Sequence, residues 1–434
     1  MKITYITYQG IPSTNTYAHG IWTFSIIKHL VKKNYEVDLV FPLREKNSTS
    51  DVSKLQDYYE MNLDFEVNPT KHYLPFGRIN IFTKYMYIFS HILWAYYVTR
   101  KYKDQHTNII FTLSDWVFYF LSKKNVRVIY ECHNVTNIRK KLVSKSLESI
   151  NSKIICINKY IKEDLNLKDG INITVLESGF DQDLFYDSSS KHDKIKIVYS
   201  GNLQRFGKSR GVVEIIEYFL ESKYSKSSEL HIFGGPDDIA NNLNSQFKSE
   251  NVHIHGHVKR SELAAVLSEA QIGILTNDDS IHSQRHTSPM KYYEYLGSGM
   301  NVIATNSLAH KDLPIQNAIN YFDLNDKESF FDALDNAIKN YDDEDGNKLD
   351  ASTSVKQAAK NLDKDDGSIR VNSISPGGIF RDQPKKFVKA YNNRTSLGRM
   401  ATEEDLMGII AYLASDASSY VTGQNIIIDG GWGN

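Results

Sequence analysis

Cysteine is scarce in this sequence of 434 residues, which contains only two. Cys132 and Cys156 each lie in an apolar run typical of a β-strand, VIYECH and KIICIN, and neither shows the short spacing of metal ligands. A disulfide framework needs several paired cysteines, and a structural zinc site needs ligands at short fixed intervals. The composition therefore argues against both.

An excess of charge of either sign is also absent. Lys and Arg number 51 against 52 Asp and Glu, so the formal net charge is −1. A chain without an overall positive charge has no general attraction to nucleic acid phosphates. Nucleic acid is therefore not expected as a partner, and any anion site must be local.

No apolar run is long enough to cross a bilayer, which takes about 20 residues in a helix. The most apolar stretch, 85–98, has 14 residues and is followed by Arg100, Lys101 and Lys103. We expect a buried or half-buried helix here, and an interfacial membrane helix with a basic end is the alternative. The opening MKITYITY lacks the apolar core of a signal peptide. The predicted location is the cytoplasm, with peripheral contact at the inner face of the membrane left open.

The composition is that of a folded protein, with 41% hydrophobic and 24% charged residues. At about 150 residues per domain, the length predicts two or three domains. Strand-like and helix-like runs alternate, which is typical of parallel sheets covered by helices. The first series of predicted strands is 2–8, 37–41, 108–112, 126–132 and 153–157, with a helix at 21–33. The second series is 195–200, 230–234, 252–255, 272–275 and 301–305.

These runs predict the division of the chain into parts. Two α/β domains are expected at 1–186 and 194–340, joined by a linker near 185–193. An acidic and polar linker follows at 341–368, and then a short tail at 369–434. Two strands and one main helix in the tail cannot close a sheet of their own, so the tail needs something to pack on.

The segments YSGNLQRFGKSRGVVEII, LHIFGG, VHIHGHV, QIGILT and TSPMKYYEYLGSGMNVIATN follow one another in the second domain. Their order and spacing resemble the donor-binding domain of family 4 glycosyltransferases with the GT-B fold. Three segments of the first domain also resemble this family, namely the GIPS loop, IYECHN and SGFDQDLF. The resemblance therefore covers roughly residues 1–340. It implies an α/β chain whose two doubly wound Rossmann-like domains face each other across a cleft.

A nucleotide-diphosphate sugar presents a ribose diol and a diphosphate, which call for a carboxylate acceptor and for cationic or N–H donors. The resemblance assigns the ribose to Glu294, and the alternative is a surface glutamate paired with Lys291. Ser288 is a reasonable helix N-cap ahead of Pro289, so the helix amino terminus would face the diphosphate. Gly201 and Met290 are also placed at the donor by the resemblance.

The basic loop after the first strand of the second domain holds Arg205, Lys208 and Arg210. In the family, an Arg and a Lys of this loop neutralise the departing diphosphate, which assigns catalysis here to Arg205 and Lys208 and donor binding to Arg210. The spacing differs from the usual form, and solvated loop charges are the alternative. His286 stands where many members carry a glutamate eight residues before Glu294. It is expected either to bind a sugar or phosphate oxygen or to have no role.

In the first domain, His133 matches the histidine that the family places beside the transferred sugar. His19 and Gly20 stand where the backbone approaches the donor phosphate or the acceptor, although a simple tight turn explains Gly20 nearly as well. The family retains the sugar's configuration and generally uses no metal. Asp278 and Asp279 are the nearest acidic pair, and we interpret them as solvated carboxylates. No cofactor and no metal are predicted.

The tail contains IRVNSISPGGIF and SLGRMATEEDLMGIIAYLASDASSYVTGQNIIIDGGW, which resemble the carboxyl-terminal portion of a short-chain dehydrogenase/reductase. That family holds NAD(P) with a GxxxGxG loop and uses a Tyr and a Lys four residues apart. The sequence shows neither, since Tyr341 is followed by Asp345 at that interval. We therefore expect a fused fragment without oxidoreductase activity. It either packs on the transferase, dimerises with a second copy, or stays partly disordered.

The predicted function is retaining, hexosyl-type glycosyl transfer. The sugar moves from a nucleotide-diphosphate sugar to a glycan or lipid-linked glycan in surface polysaccharide biosynthesis. One alternative is an NAD(P)-dependent short-chain oxidoreductase, which the missing motifs disfavour. The other is a GT-B nucleotide-sugar enzyme or binding protein that transfers no sugar.

Overall fold

A computed structural model describes most of the chain. The described residues are 2–12, 17–43, 48–61, 65–72, 83–105, 108–124, 126–168, 170, 172–181, 183–186, 194–205, 208–342, 372–381, 383–413, 415–421 and 424–432. The predicted linker positions 187–193 and 343–368 lie outside these ranges. Two compact units emerge, one comprising 1–313 with 317–346 and the other 347–434 with 314–316.

The first half of the larger unit is built on a parallel sheet of seven strands in the order β4-β2-β1-β6-β7-β8-β9. Its strands are β1 Lys2–Ile6, β2 Glu36–Val40, β4 Glu66–Val67, β6 Ile109–Thr112, β7 Val128–Cys132, β8 Ser152–Cys156 and β9 Ile173–Val175; β3 Pro42–Leu43 pairs separately with β5 Thr70–Lys71. The helices are α1 Tyr17–Lys32, α2 Val52–Tyr58, α3 Thr83–Tyr102, α4 Asp115–Ser122, α5 Asn137–Ser146 and α6 Lys159–Leu165. The strand order reverses between β1 and β6, where doubly wound sheets bind ligands.

The second half repeats this plan with a parallel sheet of six strands in the order β14-β13-β10-β15-β16-β17. Its strands are β10 Ile195–Ser200, β13 Ser228–Phe233, β14 Val252–Gly256, β15 Ile272–Leu275, β16 Asn301–Thr305 and β17 Ile319–Phe322, and β11 Gln204–Arg205 with β12 Lys208–Ser209 forms a small antiparallel ribbon. The helices are α7 Val212–Glu221, α8 Asp237–Gln246, α9 Arg260–Ser268, α10 Ile281–Arg285, α11 Met290–Gly297, α12 Leu308–Lys311 and α13 Lys327–Asp342. Here the order reverses between β10 and β15.

The predicted strands are all present, with bounds that shift by one or two residues. The main correction is α1, which begins at Tyr17 rather than at residue 21. The buried face that carries the helical spacing includes Phe24 and Ile27. The strand β17 was missed, because its short run INYF shows no alternation between buried and polar positions.

Several hydrogen bonds join the two halves of the larger unit close to the strand ends. The side-chain amide of Asn158 donates to the carbonyls of Arg285 and Thr287, each at 3.0 Å. The backbone N–H of Ser178 donates to Ser288 Oγ at 3.0 Å, and Ser178 Oγ donates to the Ser288 carbonyl at 3.1 Å. These bonds fix the segment before α11 against the first half.

The smaller unit contains β18 Ser373–Pro376 and β19 Asn425–Ile428, which pair in parallel, and the helices α14 Lys385–Asn392 and α15 Glu404–Leu413. The predicted two strands and helix EEDLMGIIAYLASD are therefore found, and α14 was not predicted. Neither α14 nor α15 has a buried residue among its described side chains. Met407 and Ile427 are 62% and 63% exposed, so apolar surface remains open on this unit.

Candidate functional site

Glu294 lies on α11 and is only 1% exposed. Its Oε1 accepts a hydrogen bond from Arg260 Nη2 at 3.1 Å, and its Oε2 accepts one from Lys291 Nζ at 2.7 Å. A buried carboxylate is costly unless it is paired, and two cations pair this one. Each oxygen still has a lone pair that can accept a hydroxyl hydrogen bond. The pairing with Lys291 considered from the sequence exists, but Glu294 is buried rather than on the surface.

Arg260 was not identified from the sequence, although it holds Glu294. It is the first residue of α9, and its guanidinium carbon lies 5.2 Å from the centre of the Phe185 ring. Arg260 also lines a groove with residues of both halves, among them Lys28, Glu60 and Asp181. The sequence contains no local signal for this role, because Arg260 and Glu294 are 34 positions apart and meet only through the packing of the fold.

The segment before α11 differs from the prediction. The helix begins at Met290, and Pro289 rather than Ser288 is the N-cap residue, with no side-chain hydrogen bond to the first turn. Ser288 does not cap the helix, because its hydroxyl accepts the bond from Ser178 of the first half. The N-cap side chain therefore accepts no hydrogen bond from the first N–H groups of α11, and N–H donors at a helix amino terminus are what binds an anion there.

The loops after β15 and β16 form a buried polar cluster at the same edge of the sheet. The side-chain amide of Asn277 lies 3.1 Å from Thr287 Oγ1, 3.3 Å from Ser307 Oγ and 3.1 Å from His310 Nε2. Its backbone N–H donates to Thr305 Oγ1 at 2.8 Å. The cluster fixes the loop shape beside the point at which the strand order reverses.

Gly201 and Arg210 lie at the carboxyl end of β10. A Cβ added at Gly201 would come no closer than 3.5 Å to any atom, so packing within the protein does not demand glycine here. The Arg210 guanidinium donates to the carbonyl of Thr276, while its Nε is buried without a hydrogen-bond partner. Arg205 and Lys208 are paired backbone positions of the β11–β12 ribbon, and their side chains lie outside the described part of the chain.

His286 is 5% exposed and follows α10. Its Nε2 lies 2.7 Å from Asp164 Oδ2, and Arg285 makes two further bonds to the same carboxylate, at 2.9 and 3.0 Å. Burial opposes ionisation of Asp164, but the hydrogen bonds from Arg285 and His286 outweigh it and hold its pKa below the usual value. A sugar or phosphate oxygen at this nitrogen would have to compete with the carboxylate of Asp164.

In the first half, the predicted His133 lies just after β7 beside a buried glutamate. Glu131 is 4% exposed. Its Oε1 accepts a hydrogen bond from the indole Nε1 of Trp22 at 2.5 Å, and His133 Nε2 lies 2.5 Å from the same oxygen. The rings of His19 and His133 have centres 5.8 Å apart. The structure therefore brings the predicted His19 and His133 together, and adds Trp22 and Glu131 to them.

Gly20 lies inside α1 rather than in a turn before it. A Cβ added to Gly20 would lie 2.2 Å from Tyr59 Oη and 2.7 Å from Tyr59 Cζ. The neighbour that approaches this glycine most closely in the structure is thus the Tyr59 ring, which stacks on Phe24 with centres 4.0 Å apart. The tight-turn interpretation is wrong, and packing against Tyr59 is a sufficient reason for glycine here.

Comparisons with known proteins agree with this architecture. Residues 194–340 match the family model described as glycosyl transferases group 1, and residues 331–433 match the model described as enoyl-(acyl carrier protein) reductase. The solved structure of TarM is similar with a TM-score of 0.56 at 12% identity, covering 84% of this chain and 95% of that one. The apo lipopolysaccharide outer core galactosyltransferase WaaB gives a TM-score of 0.50 at 12% identity, covering 83% of this chain and 99% of that one. The predicted GT-B fold is confirmed.

The tail has similar curated relatives of its own. Dehydrogenase/reductase SDR family member 6 of Rattus norvegicus is 43% identical over 74 residues, which is 15% of this chain and 30% of that relative. The chain therefore spans less than a third of the length of the dehydrogenase relative that it matches. The predicted resemblance of the tail to part of a short-chain dehydrogenase is confirmed.

Proposed function

We propose that this chain, which joins a glycosyl transferases group 1 region in a GT-B fold to part of a short-chain dehydrogenase, is a retaining glycosyltransferase. The sugar comes from a nucleotide-diphosphate sugar and goes to a glycan or lipid-linked glycan in surface polysaccharide biosynthesis. The observation that carries the proposal is Glu294, buried at 1% exposure on α11 and held between Arg260 and Lys291.

Glu294 is proposed to bind the ribose. The hydrogen bonds from Arg260 and Lys291 hold its carboxylate in one orientation, so the remaining lone pairs point in fixed directions. Two adjacent hydroxyl groups are the ligand that suits a carboxylate with one acceptor site left on each oxygen. Arg260, on this argument, is a positioning residue that acts through Glu294.

The diphosphate is proposed to lie between the end of β10 and the amino terminus of α11. Gly201 leaves space for it. The segment Ser288–Pro289 leads into α11, and the first N–H groups of this helix, beginning at Met290, are proposed to donate to the diphosphate oxygens. Arg205 and Lys208 are proposed to neutralise the charge that develops on the diphosphate as it leaves. The Arg210 guanidinium donates a hydrogen bond to the Thr276 carbonyl, which holds this loop against the loop after β15.

The cluster in the first half is proposed to contact the transferred sugar. The His133 side chain is 24% exposed, while Glu131 behind it is almost fully buried. Glu131 and Trp22 thus fix the imidazole, and His19 stands beside it. In the reaction, the bond between the anomeric carbon and the phosphate oxygen breaks and the acceptor oxygen bonds to the same face. The departing phosphate oxygen takes the acceptor's proton.

A nearby membrane is proposed as the place of the acceptor. The helix α3 buries Trp94 and Val98 in the core, while the side turned away from them exposes four apolar or aromatic side chains. These are Phe89, Leu93, Tyr96 and Tyr97, which we call the aromatic face of α3. No helix within the described ranges is long and apolar enough to span a membrane. A half-buried helix with an exposed aromatic face and a basic last turn suits the surface of a bilayer.

The tail is proposed to have no oxidoreductase activity and to bind a second copy of the chain through its open apolar surface, which includes Met407 and Ile427. A GT-B nucleotide-sugar enzyme or binding protein that does not transfer sugar is the second candidate. The contact of His286 with Asp164 favours it, since the nitrogen expected near the donor is already engaged.

Calorimetric titration of the full chain with UDP, GDP and NAD tests the proposal. We expect one of the two nucleoside diphosphates to bind and NAD not to bind. The substitution Glu294→Gln should weaken that binding about 10- to 100-fold, because it removes a charged acceptor. The control Glu217→Gln changes an exposed glutamate of α7 and should leave the affinity unchanged.

Two outcomes would contradict the proposal. One is NAD binding without nucleoside diphosphate binding, which favours the oxidoreductase. The other is equal nucleotide affinity in Glu294→Gln and the unmodified chain. Incubation with a panel of nucleotide sugars then separates turnover from binding alone.

A further inference from the structure

Three imidazoles and a carboxylate share one face of the second sheet at its β14 edge. The side chains of successive strand residues point to opposite faces. Leu230, Ile232 and Ile254 therefore enter the core, whereas Glu229 and His231 of β13 and His253 of β14 lie on the other face. The strands are parallel, and their register sets His231 directly opposite His253.

The distances within this cluster are those of potential metal ligands. One ligand atom each from Glu229, His231 and His253 lies within 4.8 Å of the other two. A tetrahedral zinc ion with bonds of about 2.0–2.1 Å needs its ligand atoms about 3.3 Å apart. The side chains are only partly buried, so small rotations can close this difference.

His231 presents a nitrogen that the fold leaves without a hydrogen bond. Its Nε2 is buried and has no hydrogen-bond partner, and it lies 3.5 Å from Glu229 Oε2. When the ring carries its proton on Nδ1, the Nε2 lone pair faces the carboxylate oxygen, and a cation between the two would bind both.

His255 supplies the kind of support that metal-binding histidines use. His231 Nδ1 lies 3.1 Å from His255 Nε2, and the Phe233 ring stacks on His255 with centres 4.3 Å apart and planes 4° from parallel. In the tautomer in which His231 Nδ1–H donates to His255, Nε2 is offered to a metal in a fixed orientation. Lys194 Nζ lies 3.4 Å from Glu229 Oε1 and leaves Oε2 for the ion.

We propose that Glu229, His231 and His253 bind one divalent zinc-type cation, which links β13 to the edge strand β14. Imidazole and carboxylate ligands suit Zn²⁺, and a water molecule completes the four-coordinate shell. The site lies on the sheet face, and no step of the proposed transfer depends on it. The ion stabilises the sheet edge because it binds only when both strands are paired.

Calorimetric titration of Zn²⁺ into the full chain, after removal of metal with a chelator and dialysis, tests this inference. We expect one tight site and a rise in Tm of several degrees. His255→Gln should weaken Zn²⁺ binding about 10- to 100-fold, and His231→Gln or His253→Gln should weaken it more. The control His29→Gln alters an exposed histidine of α1 and should leave the tight site intact.

Far-UV circular dichroism and the metal-free Tm of each variant separate loss of a ligand from loss of the fold. If His231→Gln is unfolded, His253→Gln and Glu229→Gln give the answer, and the Glu229 side chain is more accessible than that of His231, at 26% against 14%. Unchanged Zn²⁺ affinity in folded His253→Gln and Glu229→Gln would overturn the inference. Nucleotide binding is measured in parallel, so failure here is distinguishable from failure of the proposed transferase.

Discussion

At the scale of single residues, the most informative side chains are polar groups that burial forces into specific pairs. Glu294 has Arg260 and Lys291, Glu131 has Trp22 and His133, and each pair fixes the direction in which a functional group points. The sequence motif identifies Glu294, but it does not include Arg260 or indicate that Arg260 pairs with Glu294. A partner that is distant in sequence follows only from packing.

His310 illustrates a buried histidine that must stay neutral. It is 1% exposed, its Nδ1 donates to the Thr305 carbonyl at 2.8 Å, and its Nε2 accepts from Asn277 at 3.1 Å. Protonation at Nε2 would break the bond to Asn277. Burial, with a smaller effect of the nearby Arg210 charge, lowers the pKa of His310 from 6.5 to about 4.

We expect this histidine to make the protein less stable in acid. Below pH 6.5 the unfolded chain binds a proton that the folded chain does not bind, so stability falls as the pH drops from 6.5 towards 4. The loss from His310 is about 3 kcal/mol at most, at about 1.4 kcal/mol for each pKa unit. Urea unfolding at several pH values measures how the free energy of unfolding depends on pH. The substitution His310→Gln should make that dependence less steep between pH 6.5 and 4.

The substitution His29→Gln, at an exposed residue, provides the comparison. The pH dependence of its free energy of unfolding should match that of the unmodified protein. An identical slope in His310→Gln and the unmodified chain would contradict the argument.

At the scale of elements, the helix α3 shows how one sequence stretch serves two environments. Its run of apolar residues could not decide between a buried helix and one at a membrane. The structure buries one face and leaves the aromatic face exposed, with Phe89 and Tyr96 each at 53%. The half-buried helix is therefore found, and membrane contact stays a proposal.

Removing aromatic rings from this face should weaken binding to lipid. The double substitution Phe89→Ser with Tyr96→Ser removes two rings, and each contributes about 1.5–3 kcal/mol if fully buried. We expect co-sedimentation with anionic vesicles to fall about tenfold or more. The single substitution Ile150→Ser, at a residue that is 83% exposed elsewhere in the same half, should have little effect. Equal losses in both variants, or none in the double variant, would contradict a specific membrane face.

At the scale of the whole molecule, the chain combines a GT-B fold with a short tail that is similar to part of a short-chain dehydrogenase. The compact unit of 1–313 with 317–346 contains both sheets, and the piece from 347 onwards forms most of the other unit. The proposed active site uses residues of the first unit alone. The tail is thus expected to affect assembly rather than chemistry.

A chain shortened after Gly346 should keep its nucleoside diphosphate affinity within about threefold, because every proposed ligand lies before that point. Light scattering after size exclusion should show a dimer for the full chain and a monomer for the shortened one, since the tail's apolar surface is removed. A shortened chain that is folded by circular dichroism yet binds no nucleotide would show that the tail contributes to the site. A full chain that is monomeric would rule out the proposed dimer.

The sequence by itself determined the repeated α/β plan, because alternating strand and helix patterns and turn residues are local properties. It also located Glu294, His133 and the loop of Arg205 through motifs that are continuous along the chain. The domain boundaries and the site assignments stay predictions.

Only the tertiary structure decided which distant residues meet. Arg260 beside Glu294, Asp164 beside His286, Tyr59 against Gly20 and the pairing of His231 with His253 all join elements that are separate in sequence. Local patterns cannot encode such contacts, because strand order and helix packing set them through burial of the whole core. For the same reason Ser288, which the sequence predicts to cap a helix, instead accepts a hydrogen bond from the backbone N–H of Ser178 in the other half of the unit.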